Sequence, residues 1–74
     1  MKNEKIRKKI NRNIREARKN KGYTQKEMGK IMFNSTQSLY GRYERIEVEF
    51  NYEQIIMLCK ILEIEPNEIF EDCI

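Results

Sequence analysis

A chain of 74 residues forms one domain with a modest core, so association with a second copy is a reasonable expectation. With 39% hydrophobic and 36% charged residues, the composition is that of a small soluble helical protein and excludes a disordered chain. No apolar run approaches the roughly 20 residues that cross a bilayer, and the basic N-terminus lacks the apolar segment of a secretory signal. These features predict a cytoplasmic protein.

The net charge of +3 conceals a strong asymmetry along the chain. Of the 15 Lys and Arg residues, 14 lie in residues 1–45, whereas 8 of the 12 Asp and Glu residues lie in residues 46–74. A chain polarised in this way presents a basic part to a polyanion and keeps an acidic part away from it. If the charge pattern is taken alone, the alternative explanation is a surface whose charges are solvated by water and bind no partner.

The reactive side chains argue against metal binding and catalysis. Cys59 and Cys73 are the only cysteines and histidine is absent, so the usual four zinc ligands cannot be assembled. The sequence has no nucleophile–base pair and no glycine-rich phosphate loop. We therefore expect no enzyme, no metal, no cofactor and no small-molecule ligand, and we expect reduced thiols rather than a disulfide.

Apolar spacing predicts the first helix. Ile6, Ile10, Ile14 and Ala17 recur at helical intervals and form one stripe, with Lys and Arg elsewhere. Gly22 is a natural C-terminal stop, because glycine readily takes the left-handed conformation that ends many helices.

A second helix begins at Thr24, which forms with Glu27 the T-x-x-E pattern of a capping box. Asn34 is predicted to end this helix in a left-handed turn. The predicted buried face comprises Met28, Ile31 and Met32.

The stretch TQSLYGRYER, residues 36–45, predicts an amphipathic third helix with Thr36 as its N-cap. At about 100° per residue, its apolar side carries Leu39, Tyr40 and Tyr43. Its polar side carries Gln37, Ser38, Gly41, Arg42 and Arg45.

A fourth helix is predicted after Asn51 and Gln54, which resemble another capping box. Pro66 suits the first position of a short fifth helix, with Phe70 buried behind it. The apolar face of the fourth helix comprises Ile55, Ile56, Leu58, Cys59 and Leu62. Five helices joined by short turns predict a compact all-α domain.

The second and third predicted helices, 24–33 and 36–45, describe a helix-turn-helix, whose second helix lies in the major groove of DNA. Gln37 can pair with adenine, Arg42 with guanine, and Ser38 with several bases. Gln25 stands at the start of the first helix of the pair, where it can hold a phosphate.

The runs IREARKNKGYTQKEMGKIM, STQSLYGRYER and NYEQIIMLCKILEIEPNEIF resemble the Cro/CI-type helix-turn-helix family (also called XRE) of phage repressors and bacterial regulators. The resemblance covers roughly residues 10 to 70. It implies the five-helix phage-repressor fold over one domain, residues 1–74, with residues 1–9 as a basic extension of the first helix. It also implies double-stranded DNA as partner and dimerisation through residues 65–74.

The resemblance implies roles for single residues as well. Arg18 and Glu44 match a partly buried ion pair that ties the first helix to the third. The base-reading positions are Gln37, Ser38, Gly41 and Arg42. The phosphate-binding positions are Gln25, Lys26, Thr36 and Arg45. The dimer interface comprises Ile69, Phe70, Cys73 and Ile74.

Three departures from the family pattern stand out. The turn FNST is one residue longer than usual and lacks glycine, and Ile46 stands where glycine is frequent. The loop IEVEFN is acidic where many relatives carry Lys or Arg. The basic first helix, with Lys2 to Lys9, offers contacts to the DNA backbone in compensation.

These observations favour a sequence-specific, homodimeric regulator, in the simplest case a repressor, on a pseudo-palindromic operator. The alternative is a protein-interaction module on the same scaffold, such as an antitoxin or anti-repressor partner, with little direct DNA reading. A membrane-surface role for the first helix is disfavoured, because its apolar stripe is narrow and lacks bulky aromatic residues.

Overall fold

A computed structural model of the chain describes residues 4–34 and 37–73, and within these ranges it contains helices and no strand. The helices, in chain order, are α1 (Glu4–Lys21), α2 (Gln25–Phe33), α3 (Gln37–Glu44), α4 (Tyr52–Leu62) and α5 (Pro66–Ile69). The predicted all-α fold with a helix-turn-helix at α2 and α3 is confirmed.

Local sequence signals place the helix starts where they were predicted. Thr24 Oγ1 accepts from the Glu27 backbone N–H at 3.1 Å, and a Glu27 carboxylate oxygen accepts from the Thr24 N–H at 2.8 Å. Asn51 and Gln54 make the same reciprocal pair at the start of α4, both at 2.8 Å. Pro66 occupies the first turn of α5. Each cap satisfies backbone donors that the first helical turn leaves free.

Four helices end on a residue with positive φ, and for α4 that residue is Glu63 (φ 56°). Gly22 (φ 91°) follows α1 and Asn34 (φ 50°) follows α2, as predicted. After α3 the same position is held by Ile46 (φ 68°), with Glu47 N bonded to Arg42 O at 2.9 Å. In this hydrogen-bond pattern the left-handed position is usually occupied by glycine, and an L-residue in that position costs roughly 1–2 kcal/mol. The departure noted at Ile46 is therefore a strained version of the usual helix end.

The core takes at least one side chain from every helix. Its fully or nearly fully buried apolar residues are Ile14, Met28, Tyr40, Leu58, Leu62 and Ile69. α2 packs chiefly against α3, and α1 lies against α3, α4 and α5.

Three residues expected in the core are exposed instead. Ile31 is 47% exposed, Ile56 is 55% exposed and Phe70 is 38% exposed. On a helical wheel with about 100° per residue, Ile31 and Ile56 point away from the buried residues of α2 and α4. No neighbouring helix therefore covers them. Phe70 follows the last residue of α5, where Ile69 already fills the core.

Candidate nucleic-acid interface

The third helix is held to the domain by its aromatic side. The Tyr40 side chain is fully buried, and the Tyr43 ring stacks between Phe33 and Phe50, with centroid separations of 5.0 and 4.8 Å. Tyr40 is thus part of the core and Tyr43 is half-buried against its aromatic edge, on the side that the helical spacing predicts. This packing leaves the side chains of Arg42 and Arg45 on the outside, each more than half exposed.

A buried carboxylate, Glu44, joins α1, α2 and α3. Arg18 Nε donates to Glu44 Oε2 at 2.8 Å, and Gln25 Nε2 donates to Glu44 Oε1 at 3.0 Å. Arg15 Nε lies 3.6 Å from the same Oε1. Arg18 also donates from Nη1 to the Tyr23 carbonyl at 2.8 Å, so its guanidinium is fixed from two sides. The two residues expected to form an ion pair are therefore in direct contact.

The surroundings of Glu44 keep it ionised. Burial alone would raise the pKa of Glu44, but the hydrogen bonds from Arg18 and Gln25 outweigh it, and the pKa lies below its ordinary value. A depressed carboxyl pKa stabilises the folded state at neutral pH, and this contribution is lost as the pH falls through the folded-state pKa. Because Glu44 is only 1% exposed, loss of its partner would leave a buried charge uncompensated.

Gly41 lies beneath two of the residues proposed to contact phosphate. A Cβ built at Gly41 would lie 3.0 Å from Arg45 Nη1 and 3.4 Å from Gln25 Oε1. Gly41 is on the polar side of α3, but it is buried beneath these side chains. The absence of a side chain leaves room for Gln25 and Arg45 to lie along the helix.

The two exposed arginines of α3 share one carboxylate that sequence reasoning missed. Glu47 Oε2 lies 2.9 Å from Arg45 Nε, and Glu47 Oε1 lies 3.5 Å from Arg42 Nε. The hydrogen bond from Arg45 lowers the pKa of Glu47, so the carboxylate is ionised at neutral pH. The left-handed turn at Ile46 folds Glu47 back over the last turn of α3, and the acidic loop was the only sequence signal of this contact.

The remaining predicted DNA-binding residues are placed only in part. Lys26 is exposed in the first turn of α2. Gln37 and Ser38 form the start of α3, but their side chains lie outside the described part of the chain, as does Thr36.

The predicted dimer interface needs correction. Ile69 is fully buried in the core of its own chain, so it is not available to a partner. Phe70 and Cys73 are partly exposed, and Ile74 lies outside the described residues. Phe70 instead borders an apolar groove of about 620 Å³ whose walls come from α1, the loop 46–50, α4 and α5. Exposed apolar residues at or beside it are Tyr52, Ile56, Met57 and Phe70.

Other kinds of site find no support in residues 4–34 and 37–73. No group of three or more potential metal-binding Cys, Asp or Glu side chains is found there. None of the described helices is both long and apolar enough to span a membrane.

Comparison with protein families gives one informative result. A family model described as helix-turn-helix matches residues 14–69, which includes α2 through α5 and the C-terminal part of α1. Comparisons with curated proteins and with solved structures gave no match. The matched family is a DNA-binding domain and not a catalytic one.

Proposed function

Since the chain belongs to the Cro/CI-type (XRE) helix-turn-helix family and is a DNA-binding regulator, we propose that it is a sequence-specific repressor that acts as a homodimer in the cytoplasm. The observation that carries this proposal is the orientation of α3. Its tyrosines pack in or against the core, while its outer side presents cationic side chains beside the N-terminus of α2.

We assign base reading to the outer side of α3. Gln37 and Ser38 stand in its first turn, the part of a recognition helix that reaches base edges. Arg42 stands one turn further along, and its guanidinium suits guanine O6 and N7. Gly41 contributes by leaving room for its neighbours rather than by contacting a base itself.

The phosphate contacts come from the edges of α2 and α3. Gln25, Lys26, Thr36 and Arg45 are the proposed donors, and they fix the position of the protein on the duplex without reading its sequence. Gln25 is already oriented by its hydrogen bond to Glu44, so its side-chain position is coupled to the end of α3.

The small size of the domain and its exposed apolar surface support the proposed homodimer. A second copy would cover Tyr52, Ile56, Met57 and Phe70, the exposed apolar residues at or beside the groove. Two recognition helices about 34 Å apart would then meet half-sites one helical turn apart on a pseudo-palindromic operator.

One observation favours the alternative of a protein-interaction module. Glu47 engages both Arg42 and Arg45, so it competes with DNA for their guanidinium groups. A protein partner that covers the acidic loop would leave these pairs intact, and the chain would then have little need to read bases.

Mobility shift on a DNA fragment selected by the wild-type protein from a random pool separates the two functions. For Gln37→Ala/Arg42→Ala we expect at least about 30-fold weaker binding, because each bidentate base contact contributes roughly 1–3 kcal/mol. The control, Asn20→Ala/Lys30→Ala, removes one amide and one cation elsewhere and should bind as wild type does.

Two results would count against DNA reading. If the pool yields no enriched sequence, the interaction module is the better description of the protein. If a sequence is enriched but the Gln37→Ala/Arg42→Ala variant binds it as tightly as the control does, base reading is assigned to the wrong residues.

Sedimentation tests the dimer. We expect a dimer at micromolar concentration that Phe70→Glu converts to monomer, because the new charge would be buried against the partner. Ile31→Glu, at an equally apolar and exposed position on α2, should remain dimeric. A monomeric wild type contradicts the homodimer, whereas a dimeric Phe70→Glu variant contradicts only this choice of surface.

A further inference from the structure

We propose that the N-terminal half of α1 is a second DNA-binding surface, one that holds backbone phosphates flanking the site under α3. This inference rests on the proposed function and extends it to a part of the chain that precedes the matched residues 14–69. It specifies which cations of the basic first helix face DNA.

The proposed surface is a cationic groove beside the C-terminal end of α3. The groove has a volume of about 530 Å³, and Glu44 and Ile46 form its far wall. Its near wall is a continuous ridge of α1, because its residues recur every three or four positions. The cations of this ridge are Lys5, Lys8, Lys9, Arg12 and Arg15.

Most of these cations have no acidic partner in the part of the chain that the structure describes. Lys5, Lys8, Lys9 and Arg12 take part in no ion pair there, and only Arg15 approaches a carboxylate, that of Glu44. Glu44 is already engaged by Arg18 and buried, so it adds little negative potential at the groove. Unpaired like charges on one ridge repel one another, and a polyanion relieves this repulsion.

The ridge is attached firmly to the recognition helix. Asn11 Nδ2 donates to the Tyr43 carbonyl at 2.7 Å, and Arg7 Nη2 donates to the Ile46 carbonyl at 3.3 Å. Both acceptors lie in or just after the last turn of α3, where helix carbonyls lack partners within the helix. The phosphate-binding ridge and the base-reading helix therefore keep a fixed separation, which simultaneous contact with one duplex requires.

The chemistry of the groove favours nucleic-acid phosphate over a lipid surface. A membrane-binding helix needs a broad apolar face next to its cations. In α1 the apolar residues Ile10, Ile14 and Ala17 pack in or against the core of the domain, which leaves Ile6, 39% exposed, as the one exposed apolar residue of this helix among those described. The groove is thus lined by five cationic side chains and a single apolar one, Ile46, which suits a hydrated phosphodiester backbone.

Salt dependence of binding tests the assignment. The variant is Lys8→Gln/Arg12→Gln, and the matched control is Lys19→Gln/Lys30→Gln, which removes two exposed cations outside the groove. Binding to the fragment selected by the wild type is measured from 50 to 400 mM salt. Each lost phosphate contact lowers the slope of log K against log [salt] by about 0.9, so we expect the slope of the variant to fall by about 2.

Two further readouts distinguish this role from others. The preference for the selected over a scrambled fragment should be unchanged, since phosphate contacts carry no sequence information. The melting temperature should also not fall, because Lys8 and Arg12 are exposed and outside every ion pair of the described residues.

Three outcomes would overturn the proposal or its basis. If the variant keeps the slope of the control, α1 does not bind phosphate. If the slope is kept but binding to vesicles of anionic phospholipid is lost, the groove serves a membrane surface instead. If wild type shows no sequence preference at all, the proposed function fails, whatever the slope of the variant.

Discussion

The two cationic surfaces of this domain differ in how their charges are held. On α3, the exposed Arg42 and Arg45 both face the Glu47 carboxylate, at 3.5 and 2.9 Å. On α1, Lys5, Lys8 and Arg12 form no ion pair among the described residues. An exposed cation is therefore not always free of a carboxylate partner that competes with DNA. We infer that α1 supplies electrostatic attraction, while α3 releases its arginines only when a better partner than Glu47 is present.

The largest expected effect concerns the buried ion pair of Arg18 and Glu44, which joins α1 to α3. Arg18→Ala leaves Glu44 buried without its main partner, which should cost about 3–5 kcal/mol of unfolding free energy. For a domain of this size, the melting temperature should fall by more than about 10 °C, measured by circular dichroism.

The neighbouring exposed residue provides the control for this substitution. Lys19→Ala removes one cation from the same turn of α1 and should change the unfolding free energy by less than about 0.5 kcal/mol. A melting temperature for Arg18→Ala close to that of Lys19→Ala would show that Glu44 does not depend on this ion pair.

A smaller effect is expected at Glu47. Glu47→Gln removes the carboxylate that competes with DNA for Arg42 and Arg45, so DNA affinity should rise several-fold, with a steeper salt dependence. Glu16→Gln removes an exposed carboxylate from α1 and provides the control for the change in net charge. Equal affinities of the two variants in a salt titration would mean that Glu47 does not restrain the arginines.

The sequence predicts those parts of the fold that depend on neighbours in the chain. The capping boxes at Thr24 and Asn51 and the left-handed turn at Asn34 are complete within a few residues, and all are present. The inward side of α3 was also predictable, because Tyr40 and Tyr43 follow the helical period.

The rest depends on contacts that a linear pattern does not contain. Ile31 and Ile56 are exposed because no helix lies over them, and Ile69 rather than Phe70 fills the core. The burial of Gly41 depends on where the side chains of Gln25 and Arg45 lie. For the candidate site, the residue types on α3 were thus predictable, whereas their engagement by Glu47 was not.

The central claim is that this chain distinguishes one DNA sequence from others. The most direct measurement is the ratio of affinities of the wild-type protein for its selected fragment and for a scrambled fragment of equal length, at physiological salt. The account predicts a ratio of at least about 10³. A ratio near one, with binding that depends only on salt, would contradict it.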